Sequence, residues 1–148
     1  MSNKRDTLDW SKSFMYLLHK TYFLIEKKLE HKLHEDKGIS FSQFLILLGV
    51  HCKKSASQND IAEFLFLTEA TVSRHVSVLH KSRYLKRIDD KKNRRKYILL
   101  LTPLGLRKFS RAHALIENEL HSIFNVIKLS KRNSISAAFT DVLQQLTS

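Results

Sequence analysis

One cysteine, one proline and three glycines are all that 148 residues hold of the types that staple or break a chain. With Cys52 alone, no disulfide can close within the chain, the usage expected of a reducing, cytoplasmic compartment. So few breakers leave little room for turns, and the chain should be mainly helical. Long apolar runs are also missing. The longest, Phe44 to Val50, falls far short of the ~20 residues that span a bilayer, so no membrane partner is expected. His19 and Lys20 interrupt the apolar stretch after Phe14 and no small-residue cleavage site follows, so no signal peptide is read. Catalytic signatures are absent: no glycine-rich phosphate loop, no nucleophile elbow, no HExxH. Neither an enzyme nor a cofactor is expected. Acidic charge is scarce as well. Fourteen Asp and Glu face 26 Lys and Arg, a net +12, which suits a polyanionic partner without choosing among DNA, RNA and an anionic surface. A 43% hydrophobic content excludes a disordered chain, and the length fits one domain with a proper core.

What is present is helical periodicity. From about Thr7 to Asp36, Trp10, Phe14, Leu17, Leu24, Leu29 and Leu33 recur every three or four residues, and Gly38 offers a stop. Ser40 and Gln43 form a capping box for a second helix, whose buried face should be Phe41, Phe44, Leu45 and Leu48, ending near His51. Ser57 should cap a short third helix, Gln58 to Phe66, with Ile61, Ala62 and Leu65 inward. Thr102 and Pro103 mark another start, with apolar residues at helical spacing from Phe109 to Ile127; Ser130 should cap a last helix. The first helix and the last two carry more apolar surface than one chain offers partners for, which points to a two-fold dimer with interlocking ends.

The informative stretch is Thr68 to Leu101. Val72, Val76 and Leu79 fall on one face of a helix read as 68–82, while Glu69, Ala70, Thr71, Ser73, Arg74 and Ser77 make the other face small or polar. A core helix needs bulk inside but not short hydroxylated side chains outside. A helix that lies deep in a DNA major groove does need them, because bulk would hold its axis away from the base edges. Between Lys81 and Lys96 stand nine basic residues, opposed only by Asp89 and Asp90, flanked by short β-type runs Tyr84–Ile88 and Tyr97–Leu101. This is a hairpin with a cationic tip. Two short helices joined at Leu67–Thr68 and followed by such a hairpin form a helix-turn-helix with an appendage suited to phosphates or a minor groove.

Taken in order, Ser57-Gln-Asn-Asp-Ile-Ala-Glu-Phe-Leu65, Thr71-Val-Ser-Arg-His-Val-Ser-Val-Leu79, Leu85-Lys-Arg87, Asn93-Arg-Arg95 and Leu99-Leu-Leu-Thr-Pro-Leu-Gly105 resemble the MarR family of bacterial transcription regulators. The resemblance covers about residues 40 to 110. It implies a single MarR-type domain over 1–148, mainly α with a small β-hairpin wing. In it, a winged helix-turn-helix of about 40–101 is flanked by dimerisation helices of about 7–36 and 103–147. It further implies a homodimer that binds pseudo-palindromic, double-stranded promoter DNA, usually as a repressor and often released by a small-molecule effector or oxidant. Carried over by position, Thr68, Thr71, Ser73, Arg74 and Ser77 belong to the major-groove helix. Lys91, Lys92, Arg94 and Arg95 belong to the wing, read as 89–96, with Arg95 matching the minor-groove arginine.

Three positions depart from the family pattern. Asn93 replaces the usual aspartate and removes an ion pair to the arginine; His75 stands where leucine is common. Arg83 stands where a glycine commonly ends the recognition helix, and would be strained in a left-handed conformation.

Weaker signals remain. His31, His34 and Glu35 share a helix face, as do His113 and Glu117, and either pair could contribute to a zinc site of a zinc-responsive regulator, although such pairs are usually solvated. Cys52, between His51 and Lys53, reads as a half-buried structural cysteine rather than a redox sensor. Nonspecific architectural DNA binding is the nearest alternative function. A winged helix that binds only protein predicts an uncharged or acidic helix face, contrary to Arg74, Arg94 and Arg95.

Overall fold

Capping side chains set most of the helix starts in the computed structural model, which describes residues 13–36, 38–91, 93 and 96–148. Ser13 accepts from the Tyr16 N–H and opens α1 (Phe14–Glu35). The reading of this helix over residues 7–12, Trp10 included, lies outside the described residues. Ser40 and Gln43 form the anticipated box at the start of α2 (Phe41–Lys53), and Ser57 with Asp60 forms another at α3 (Gln58–Leu65). Thr68 accepts from the Thr71 N–H to open α4 (Glu69–Lys81). Two antiparallel strands follow, β1 (Leu85–Asp89) and β2 (Tyr97–Leu101), in register Leu85 to Leu101 and Asp89 to Tyr97. Then come α5 (Pro103–Phe124) and α6 (Leu129–Thr147). Such caps satisfy backbone N–H groups that helix geometry leaves unpaired.

The chain divides into two compact units, Met1–Leu115 and Ile116–Ser148. In the first, α2 is the hub: Phe44, Ile46, Leu47 and Val50 are buried, whereas Phe41, Leu45 and Leu48 stay half-buried. The expected single face was therefore too narrow. A helix packed by α1, α3, α4 and β2 at once needs apolar residues around most of its circumference, and simple periodicity loses its meaning there. Ala56 joins the sheet by pairing with Leu99, adding the segment between α2 and α3 to the hairpin. Cys52 is exposed, contrary to the half-buried expectation, because it sits on the outer side of the last turn of α2.

In the second unit α5 ends at Phe124, a turn before the Ile127 expected from the sequence; the Ile127 N–H bonds to the Phe124 carbonyl in a tighter turn. Lys128, not Ser130, precedes α6, and no side-chain hydrogen bond caps it. Ser130 lies inside the first turn, and Arg132 Nε reaches back 2.7 Å to the Ile127 carbonyl. α6 buries none of its residues, leaving Leu129, Val142, Leu143 and Leu146 exposed. Among the described residues no helix is long and apolar enough to cross a membrane.

Candidate nucleic-acid interface

The helix that organises the site is fixed by its inner face. Val72, Val76 and Leu79 are each at most 1% exposed, and burying each stabilises the fold by about 1.5–3 kcal/mol. With that face committed, Ser73 and Arg74 are exposed, and Thr71 and Ser77 are half-buried. Two of the three hydroxyls expected on the outer face are already engaged locally. Thr71 lies 2.9 Å from the Thr68 hydroxyl, and Ser77 donates to the Ser73 carbonyl at 2.9 Å. Ser73 and Arg74 remain exposed on the outer face.

His75 is half-buried beside them. Its imidazole is held below the usual histidine range, first because burial disfavours the charged form and then because Arg74 repels it. A neutral imidazole next to a guanidinium adds no further charge to this face.

The wing emerges from a locked junction. Arg83 ends α4 with φ 59°, the left-handed conformation anticipated for a position where glycine would be at ease. Thr102 donates its hydroxyl to the Arg83 carbonyl at 2.6 Å and accepts the Gly105 N–H at 2.9 Å. Thr102 thereby caps α5 and ties its start to the end of α4. Lys108 Nζ lies over the Tyr84 ring, 6.0 Å from its centroid. At the other end of the hairpin, Asp90 N bonds to Lys96 O and Lys96 N to Asn93 O, closing the tip. Lys91 is exposed there. Lys92, Arg94 and Arg95, assigned to the wing from the sequence, lie outside the described residues.

Lys96 and Tyr97 share a cavity of about 410 Å³ with Ser57, Gln58, Asn59 and Glu69. The end of the wing thus meets the first turns of both α3 and α4. Asp60 beneath it accepts from the Ser57 N–H at 2.7 Å and the Ser57 hydroxyl at 2.8 Å. Those bonds, with Lys96 and Lys53 nearby, hold its carboxyl below the ordinary aspartate value despite some desolvation.

Among the described residues three non-glycine residues have positive φ, and each follows a helix of this unit: Lys54 after α2, Phe66 after α3 and Arg83 after α4. Such a conformation costs a side-chain-bearing residue about 1–2 kcal/mol. Lys54 and Arg83 are cations at helix C-termini, where the macrodipole offsets part of that cost. Phe66 carries no charge and is 86% exposed. Sequence reasoning placed it as the last residue of α3, because an apolar residue after Leu65 continues the helical pattern.

The metal candidates do not assemble into a cluster. His31 Nδ1 lies 3.5 Å from Glu35 Oε1 on the solvent side of α1, His34 lines a separate cavity of about 240 Å³ with Glu30, and the His113 ring lies tilted against Phe109, 5.5 Å between centroids. Among the described residues no three His, Cys, Asp or Glu side chains are grouped to hold an ion.

Residues 37–96 match the model of the MarR family. Among solved structures, the chain resembles the DNA complex of MepR from S. aureus at 22% identity, covering 90% of this chain and 98% of that one, TM-score 0.79. It resembles the transcriptional repressor CouR bound to a 23-mer DNA duplex at 19% identity, covering 90% and 94%, TM-score 0.81. It also resembles BpsR from Bordetella bronchiseptica, whose DNA binding is regulated by 6-hydroxynicotinic acid, at 21% identity, covering 93% and 95%, TM-score 0.78. No curated protein sequence matches the chain.

Proposed function

We propose, from the match of residues 37–96 to the MarR family model, that the chain is a sequence-specific, homodimeric DNA-binding regulator acting as a promoter repressor. The observation that carries this reading is α4: its bulk is turned inward, and Ser73 and Arg74 stand exposed on a slim outer face. In this reading α4 enters the major groove and Arg74 reads base edges. Thr68, Thr71 and Ser77 shape its near side. Lys91, Lys92, Arg94 and Arg95 work at the wing, neutralising phosphates and entering the neighbouring minor groove, whose width depends on sequence.

The dimer is supported by unpartnered apolar surface. Phe14, Met15, Leu17, Tyr22, Phe23 and Leu24 of α1 are each more than half exposed, and α6 buries nothing. A second copy covering both would remove that surface from water and place two α4 helices about 34–36 Å apart, one turn of duplex. MepR and CouR were solved on DNA, and BpsR responds to a small organic acid, which supports DNA binding and effector release as the working mode.

Footprinting on the region upstream of the protein's own gene tests the reading. It predicts a discrete protected segment with two half-sites that competes against excess random DNA. Uniform, salt-sensitive coating without a preferred site would instead favour an architectural role.

A further inference from the structure

Of the three left-handed residues that follow helices among the described residues, Phe66 alone carries no charge to set against its strain. Its backbone is held firmly: its N–H bonds to the Ala62 and Glu63 carbonyls, and the Leu67 N–H bonds to Ala62 O at 2.9 Å. Its ring is nevertheless 86% exposed, the second most exposed large apolar side chain described here after Val126. A glycine would relieve the backbone and remove the apolar exposure together. Strain kept at an exposed position marks a side chain retained for an external contact.

Its place in the chain indicates which contact. Phe66 is two residues before Thr68, the N-cap of α4, so its Cα lies within about 7 Å of the point where that helix begins. Thr68, Glu69 and Ala70 are exposed as well. In the function proposed above α4 enters the major groove, and Phe66 stands just before its first turn.

We propose that Phe66 is a specificity-determining residue that packs against a thymine methyl group at the edge of the major groove, next to the first turn of α4. The inference rests on the DNA-binding reading. An apolar ring recognises thymine because its C5-methyl is the one apolar group that the base pairs present in that groove. Phe66 contributes no charge, so it adds discrimination without adding to the salt-sensitive part of the affinity.

The experiment uses the full-length protein and the best duplex recovered by selection from a random-sequence pool. Fluorescence anisotropy then compares wild type with Phe66→Gly, on that duplex and on copies with single thymines replaced by deoxyuridine. Phe66→Gly should raise Tm while weakening binding roughly tenfold, the scale of removing a partly buried aromatic contact, with an unchanged log K against log salt slope. One deoxyuridine position should weaken the wild type and leave the variant unaffected. Equal affinity of variant and wild type would overturn the assignment while leaving DNA recognition by α4 intact. So would a loss equal on selected and random duplexes, or altered self-association at unchanged DNA affinity, which would move Phe66 to a protein interface. Selection that recovers no consensus would instead overturn the sequence-specific reading on which the assignment rests.

Discussion

Gly105→Ala should unhinge the wing from the helix that follows it. A β-carbon at Gly105 would overlap the Tyr84 carbonyl oxygen and stand 2.7 Å from the carbonyl carbon and 3.0 Å from Cα, all backbone atoms that no rotamer can move aside. Restoring ordinary contact means withdrawing that carbon to at least 3.4 Å, which pulls the start of α5 off the end of α4. The hydrogen bonds from the Thr102 N–H to Tyr84 O at 3.1 Å and from the Thr102 hydroxyl to Arg83 O at 2.6 Å span that seam. Overpacking costs about 1–3 kcal/mol and two lost hydrogen bonds about 1 kcal/mol each, a total of about 3–5 kcal/mol. Against a typical stability of about 5–15 kcal/mol that is a severe loss. With a urea m-value of about 2 kcal/mol/M, the unfolding midpoint should fall by about 1.5–2.5 M. Gly38→Ala is the control: its nearest neighbours are Leu33 O at 3.3 Å and Lys108 Nζ at 3.4 Å, the second of them flexible, and its midpoint should barely move. A Gly105→Ala midpoint within about 0.3 M of wild type would refute the reasoning, since no side-chain adjustment can absorb a clash with backbone.

Other consequences are as direct. Thr68→Ala removes the acceptor for the Thr71 N–H and should lower stability by about 1 kcal/mol, read from urea midpoints. If the protein binds as a dimer, Lys92→Ala should reduce the log K against log salt slope by about two, one phosphate contact per subunit. Arg74→Ala should erode discrimination between operator and random DNA more than it changes that slope. For His75 the folded pKa is below the unfolded 6.5, so the unfolded chain takes up the proton first; its contribution is whole above pH 6.5 and is lost as pH falls through the window down to the folded value. His75→Gln should therefore narrow the gap in Tm between pH 8 and pH 5.5, and an unchanged gap would place the acid sensitivity elsewhere.

Much of this was legible from local rules. Ser40, Ser57, Thr68 and Thr102 cap helices as their spacing to Gln43, Asp60, Thr71 and Gly105 implies, because capping is chemistry within one turn. The inward face of α4 and the strain at Arg83 were legible for the same reason. Features set by packing were not. The many-sided burial of α2 erased the period that would have revealed its face, and Gly105 looks ordinary until Tyr84 is brought against it. Ser130 reads as a cap, yet the backbone turns at Lys128, where the Arg132 guanidinium meets the preceding carbonyl. Phe66 reads as helix because hydrophobic pattern carries no information about the sign of φ. In the candidate site, the polar outer face of α4 was legible, but not which of its hydroxyls were already engaged by Thr68 and the Ser73 carbonyl.

The central claim is that α4 presents Arg74 to a duplex, once from each of two subunits. Quantitative footprinting of purified wild type and Arg74→Ala on the protein's own upstream DNA tests it most directly. The account predicts two protected half-sites whose centres lie about 34–36 Å apart, one helical turn, with protection lost selectively in the variant. No protected segment at low ionic strength, or a footprint that Arg74→Ala leaves unchanged, would contradict it.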